Sequence, residues 1–152
     1  MIIRKFKDED AVNAGKMIEK CFLTLNLGNY SKEAIENQIE ENSPDRLIEN
    51  SKLVKYYVAV IDDNIEGIGG FDTSKIRTFF VNPESQKRGI GKQLMLKVLS
   101  EAKKDGLKQL YCWSTFYAEG FYEKYGFNRM KEITLTSRNN SKITFLEMNK
   151  LL

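Results

Sequence analysis

The chain has 152 residues, 41% of them hydrophobic and 30% charged, the size and balance of a single globular domain expected to span residues 1–152. A net charge of +3 is too small to announce nucleic-acid binding, and the longest apolar runs, at 58–61 and 79–81, fall far short of the roughly 20 residues that cross a bilayer. Histidine is absent, which removes the commonest metal ligand and the commonest general base, so no metal is expected.

Residues 1–6 lack a long apolar stretch and a small-residue cleavage site, so they read as a first strand rather than a signal peptide. Cys21 and Cys112 stand apart, outside any C-x-x-C or metal-ligand spacing, and are expected to be buried free thiols in a cytoplasmic protein. Asp8 is placed to cap a helix in which Ala14, Met17, Ile18, Cys21, Phe22 and Leu25 recur at three- and four-residue spacing. After a break at 26–29, Ser31 is placed as the next cap, with Tyr30 and Ile35 as its hydrophobic staple, and Ser43-Pro44 opens one further short helical piece to about residue 50. This region is acidic: from 31 to 49 six acids face two bases, a net charge of −4.

Strands follow at 56–61 and 65–71, joined by a turn at 62–64 into a hairpin, with Gly67, Gly69 and Gly70 marking a bulge or a close approach. A third strand at about 75–81 stops at Asn82-Pro83, and a helix runs from about 91 to 104 with Gly106 as its C′ residue. A strand at 107–113, a short helix at 117–125 and two strands around a turn at 138–141 complete the order βααβββαβαββ. The helix between the strands ending at 81 and starting at 107 implies a parallel pair, whereas the hairpins imply antiparallel ones. An α+β fold follows, with a mixed, mostly antiparallel sheet of about seven strands flanked by helices.

The most informative stretch is Val81-Asn82-Pro83-Glu84-Ser85-Gln86-Lys87-Arg88-Gly89-Ile90-Gly91-Lys92, where a strand meets a glycine loop that opens a helix in a segment (84–104) of net charge +4. Free N–H groups and the positive end of the helix dipole make an anion site there, and the glycines let the backbone approach a ligand. A P-loop is excluded by Gln86 and Gln93 where it needs glycine and a hydroxyl; a dinucleotide fingerprint is excluded by Leu94 where it needs a third glycine. By itself the remaining G-x-G is also compatible with a purely structural turn.

Gln86-x-x-Gly89-x-Gly91 after Val81-x-Pro83 resembles the acetyl-CoA signature of the GNAT superfamily of N-acetyltransferases, and Phe121-Tyr122-Glu123-Lys124-Tyr125-Gly126-Phe127 is similar to that family's F-Y-x-x-x-G-F motif. The resemblance implies the acyl-CoA N-acyltransferase fold, with a V-shaped opening between the strand ending at Val81 and the strand from 107. Acetyl-CoA would be a co-substrate, its pantetheine held by the backbone of Phe80 and Val81 and its pyrophosphate by the amides of Gln86, Lys87, Arg88, Gly89, Ile90, Gly91 and Lys92. Thr115 stands where similar proteins often carry an asparagine that contacts pantetheine.

Tyr122 matches the family position near the CoA sulfur and is the candidate general acid, because a phenol of pKa about 10 stays protonated at neutral pH and can supply the departing thiolate with a proton. Packing with Phe121 and Phe127 is its structural alternative. An alkylamine acceptor must shed a proton, at about 4 to 5 kcal/mol at pH 7; Asp72 and Glu66 are weak candidates to assist, and Lys75 stands near where some relatives carry a glutamate base. The expected partner is a small-molecule or peptide amine, the acidic run offering weak steering for a cationic one, with neither membrane nor nucleic acid, and the protein a monomer or homodimer. A CoA-binding sensor without turnover is the competing reading. A basic nucleic-acid-binding loop is a third.

Overall fold

The computed structural model describes residues 1–152. Its order is β1 (Ile2–Lys5), α1 (Ala11–Thr24), α2 (Lys32–Glu41), α3 (Pro44–Asn50), β2 (Lys55–Ile61), β3 (Asn64–Phe71), β4 (Lys75–Val81), α4 (Ile90–Lys104), β5 (Gln109–Ser114), α5 (Glu119–Lys124), β6 (Asn128–Thr136) and β7 (Lys142–Leu151). The piece after Ser43 is a helix in its own right, so three helices follow β1. All seven strands join one sheet in the order β1-β2-β3-β4-β5-β7-β6. Every neighbouring pair is antiparallel except β4 with β5.

The cap of α1 differs from expectation. Asp8 lies in a 3-10 turn (Asp8–Asp10), and the working carboxylate is that of buried Asp10, which accepts from the Lys7 amide at 2.8 Å and from both Arg4 guanidinium nitrogens at 2.8 Å. A carboxylate with three donors needs no water, so it can sit inside while tying β1 to α1. Ser31 and Ser43 cap α2 and α3 as expected, accepting from the amides of Ala34 and Arg46.

The β2–β3 hairpin closes on Asp62 and Asp63, both at positive φ, as a two-residue turn of this hand requires. On β3 both readings of the glycines hold: the register shifts between Gly70 and Phe71, and a Cβ at Gly67 would lie 2.8 Å from Leu94, so α4 rests directly on the strand. Helix α4 covers one face of the sheet through Ile90, Leu94, Met95 and Val98; α1 covers the other through Ala14, Ile18, Cys21 and Phe22. Each fully buried aliphatic of this size contributes about 1.5–3 kcal/mol. Beyond α4, Gly106 has φ +83 and the amide of Leu107 returns to the carbonyl of Ala102, a Schellman closure. That closure uses Leu107, and β5 begins at Gln109 rather than at 107.

The parallel contact between β4 and β5 is short. Only Lys75 with Tyr111 and Ile76 with Cys112 are paired, after which β4 continues to Val81 and β5 to Ser114 without meeting. The two strands therefore diverge, and the gap between them opens toward the N-terminus of α4.

Candidate active site

A cleft of about 1010 Å³ runs through this gap. On one side it is lined by Gln86, Lys87, Gly89, Gly91, Lys92, Thr115, Phe121 and Tyr122; on the other by residues of α1, α2, β4, β5 and the β6–β7 hairpin, among them Phe22, Glu41, Lys75, Arg77, Trp113 and Arg138.

The floor of the first side is main chain. Lys87 has φ +69 and Gly89 φ +82, so two residues of positive φ turn the chain between extended Gln86 and the start of α4. A turn of this kind can gather successive N–H groups on one side. None of the seven amides of residues 86–92 donates to a protein acceptor; the first return bond of α4 is from Gln93 to the Gly89 carbonyl, and the turn before it closes at Ser85. The last four, at 89–92, are the free donors of a fifteen-residue helix start, where the dipole adds about half a positive charge.

The two glycines serve different purposes. A Cβ at Gly89 would meet nothing within 4 Å, so the positive φ calls for glycine there, whereas a Cβ at Gly91 would lie 3.1 Å from the Phe121 ring. Gly91 thus brings α5 against α4. Ile90 contributes only its amide, since its side chain is buried in the core beside Gly67, and the Arg88 side chain is exposed and outside the cleft lining.

On β4, the Asn82 amide donates to the Glu66 carbonyl at 2.9 Å. The register then puts Phe80 in the hydrogen-bonded pair with Ile68, and by antiparallel alternation Phe79 and Val81 turn their backbone groups toward the gap. The expectation for Phe80 is therefore corrected: its backbone belongs to the β3 ladder, and its ring lies 5.3 Å from Phe22 on the second side of the cleft. The Val81 carbonyl accepts from the Cys21 thiol at 3.3 Å.

Thr115 shapes the loop after β5. Its hydroxyl oxygen and carbonyl both accept from the Ala118 amide, a turn that delays α5 to Glu119. Tyr117 crosses the cleft mouth to donate to the Gln86 side chain at 2.7 Å, a link that no pattern in the sequence signals.

Tyr122 is 6% exposed, ringed by Phe79, Phe121 and Phe127 at centroid distances of 6.2, 5.6 and 5.5 Å. Its hydroxyl has no protein hydrogen-bond partner and opens on the cleft. Burial, and secondarily the nearby Cys112, pushes its pKa well above the ordinary phenol value. The packing role and the cleft-facing hydroxyl thus belong to one side chain. Cys112 sits where β4 and β5 part; burial pushes its thiol, and that of Cys21, to about 12, so both stay protonated and poor nucleophiles.

Neither carboxylate considered as a base lines the cleft. Glu66 accepts from Asn82 Nδ2 and Ser85 Oγ, both at 2.7 Å, and so fastens the β4–α4 turn to β3. Asp72 accepts from the amides of Ser74 and Lys75 and from Arg77. Burial alone would raise its pKa, but the Lys75 and Ser74 amides and then Arg77 outweigh it and lower the net value, which describes a structural turn. Of the acidic run, only Glu41 lines the cleft.

A family model described as an acetyltransferase (GNAT) domain matches residues 9–152. No functionally curated protein matches the chain in sequence. Among solved structures, a GCN5-related N-acetyltransferase from Rhodopseudomonas palustris superposes with a TM-score of 0.91 at 19% identity, covering 99% of this chain and 95% of that one. PaiA N-acetyltransferase from Thermoplasma acidophilum, in complex with coenzyme A, gives 0.80 at 22%, covering 99% and 98%. The ribosomal-protein-S18-alanine N-acetyltransferase from Escherichia coli gives 0.71 at 14%, covering 99% and 92%.

Proposed function

The chain belongs to the GNAT acetyltransferase family, and on that premise we propose that it moves an acetyl group from acetyl-CoA directly to a primary amine bound in the same cleft. The carrying observation is the row of unpaired amides at residues 86–92, of which Gln86, Lys87, Gly89, Gly91 and Lys92 line the cleft in the gap of the sheet. A diphosphate suits that row, since it offers several acceptor oxygens and negative charge at a helix N-terminus; Lys87 and Lys92 add positive charge beside it. The outward backbone groups of Phe79 and Val81 suit the amides of an extended pantetheine arm, which would lie along β4 like a further strand.

The reaction forms an N–C bond and breaks a C–S bond. The protonated amine gives up one proton before attack and a second as the N–C bond forms, and the departing thiolate takes one. Tyr122 supplies the thiolate's proton and is itself reprotonated by the second proton leaving the nitrogen: its hydroxyl faces the cleft, is free of protein partners and is held protonated by burial. With Glu66 and Asp72 engaged elsewhere, the amine proton leaves to water in the open cleft, so the rate should rise with pH toward the acceptor's own pKa. Cys112 carries no acyl group, because a buried thiol without a base partner is a poor nucleophile.

Thiol release from acetyl-CoA across a panel of amino acids, polyamines, aminoglycosides and peptides tests this. Steady amine-dependent release is expected. Tight acetyl-CoA binding without release from any amine would contradict transfer and leave a CoA sensor.

A further inference from the structure

The charge on the acceptor side of the cleft is opposite to that of the acidic segment that forms part of its wall. Lys75, Arg77 and Arg138 line it against one carboxylate, Glu41. Arg77 is matched by Asp72 at 3.0 Å, but Lys75 is half-buried and has no carboxylate within ion-pair distance. Its ammonium lies 3.4 Å from the centroid of the Trp113 ring, a contact that orients the charge without neutralising it. Burial and then Arg77 lower its pKa, while Asp72 and Glu147 act in the opposite direction. A cation drawn partly out of water and given no counter-ion by the protein favours an incoming anion. Its position is also specific: Lys75 pairs with Tyr111, one step from the Ile76–Cys112 pair where the strands part, and Cys112 neighbours Tyr122. The rest of that side is uncharged: Phe22, Phe80 and Phe145 make an aromatic wall, and Asn37, Gln38, Asn42 and Thr136 add neutral polar groups.

Resting on the N-acetyltransferase reading above, we propose that the acceptor is an apolar α-amino acid whose carboxylate is bound by Lys75, with Arg77 and Arg138 supplying the surrounding positive potential. The carboxylate and the α-amine share one carbon, so anchoring the first at Lys75 brings the second to the parting of β4 and β5. The aromatic wall takes the side chain. The same cations disfavour polyamines, whose charges they would repel.

The test compares L-phenylalanine, L-leucine and L-methionine with their carboxamides in the thiol-release assay. The amides keep size and shape and lose only the negative charge. The amino acids are expected to exceed their amides at least tenfold in kcat/KM; Lys75→Met should lower that ratio at least tenfold with acetyl-CoA affinity unchanged, and Lys75→Arg should restore part of it. Amides equal to or better than the amino acids, turnover confined to amines without a carboxylate, or a ratio untouched by Lys75→Met would overturn the inference while leaving the transferase intact. No release from any amine at saturating acetyl-CoA would sink both. Should Lys75→Met fail to fold, the wild-type ratio decides.

Discussion

On the side of the cleft proposed to hold the cofactor the groups available to a ligand are main-chain amides of one stretch, residues 86–92, whereas on the proposed acceptor side they are side chains gathered from α1, α2, β4, β5 and the β6–β7 hairpin. Backbone donors survive most substitutions, because any residue but proline carries the N–H; the positive φ at Lys87 and Gly89 and the Phe121 ring against Gly91 restrict the choice. Side chains collected from distant segments change the site one substitution at a time. The first side is therefore suited to a constant ligand and the second to a variable one.

Tyr122, between the two sides, should show the largest effect. Tyr122→Phe keeps the ring packing and removes the proton, so kcat is expected to fall about 100-fold or more while acetyl-CoA affinity in calorimetry stays within a factor of two. Equal loss in both would make Tyr122 a packing residue of the cofactor side. Because its pKa is raised and it acts protonated, the wild-type rate, which rises as the acceptor amine deprotonates, should show no decline until the pH exceeds about 10.

Asp10→Asn provides a control outside both sides. Loss of the Arg4 pair should cost about 2 kcal/mol in denaturant unfolding near pH 7, with turnover of the folded enzyme unchanged. Hydrogen bonding from Arg4 is the main influence lowering the Asp10 pKa, so this stabilisation is complete above its unfolded value of about 3.9 and lost as pH falls through the lower folded value. The gap between wild type and variant should close in acid.

Gly89→Glu addresses the cofactor side alone. A side chain there meets open space but must adopt a strained φ and places negative charge beside the free amides, so acetyl-CoA affinity should weaken at least tenfold, about 1.4 kcal/mol, with the amino acid/amide preference intact. Glu66→Gln should do least: a fastening role predicts a severalfold loss of acetyl-CoA affinity and little change in kcat, whereas loss of kcat alone would return Glu66 to the role of base.

What could be read in advance follows the same division. The glycine turn, the helix behind it and the parallel pair are encoded locally, by Gly89, the 94-95-98 apolar spacing and a single crossover, so residues 86–92 were legible as a candidate site before any fold was known. Whether an amide is free depends on what folds against it, and for Phe80 the alternation of the β3 ladder, fixed by a partner strand, decided the matter. The acceptor side was hardest, because the sign of a segment does not give the sign of the surface it presents. Residues 31–49 are acidic, yet of their carboxylates only Glu41 reaches the lining, while Lys75 and Arg138 arrive there from a strand and a hairpin turn far along the chain. Glu66 and Asp72 looked available in sequence for the same reason. Their partners, Asn82 with Ser85 and Arg77, become visible only once β3 and β4 are paired.

The most direct measurement is a ¹⁵N–¹H correlation titration with acetyl-CoA and, in parallel, with acetyl-pantetheine, which lacks the diphosphate. The amides of residues 86–92 are expected to shift strongly with acetyl-CoA and to stay near their free positions with acetyl-pantetheine, while those of Phe79 and Val81 move with both. Amides at 86–92 that remain unmoved by saturating acetyl-CoA would contradict the assignment of that turn as the diphosphate grip.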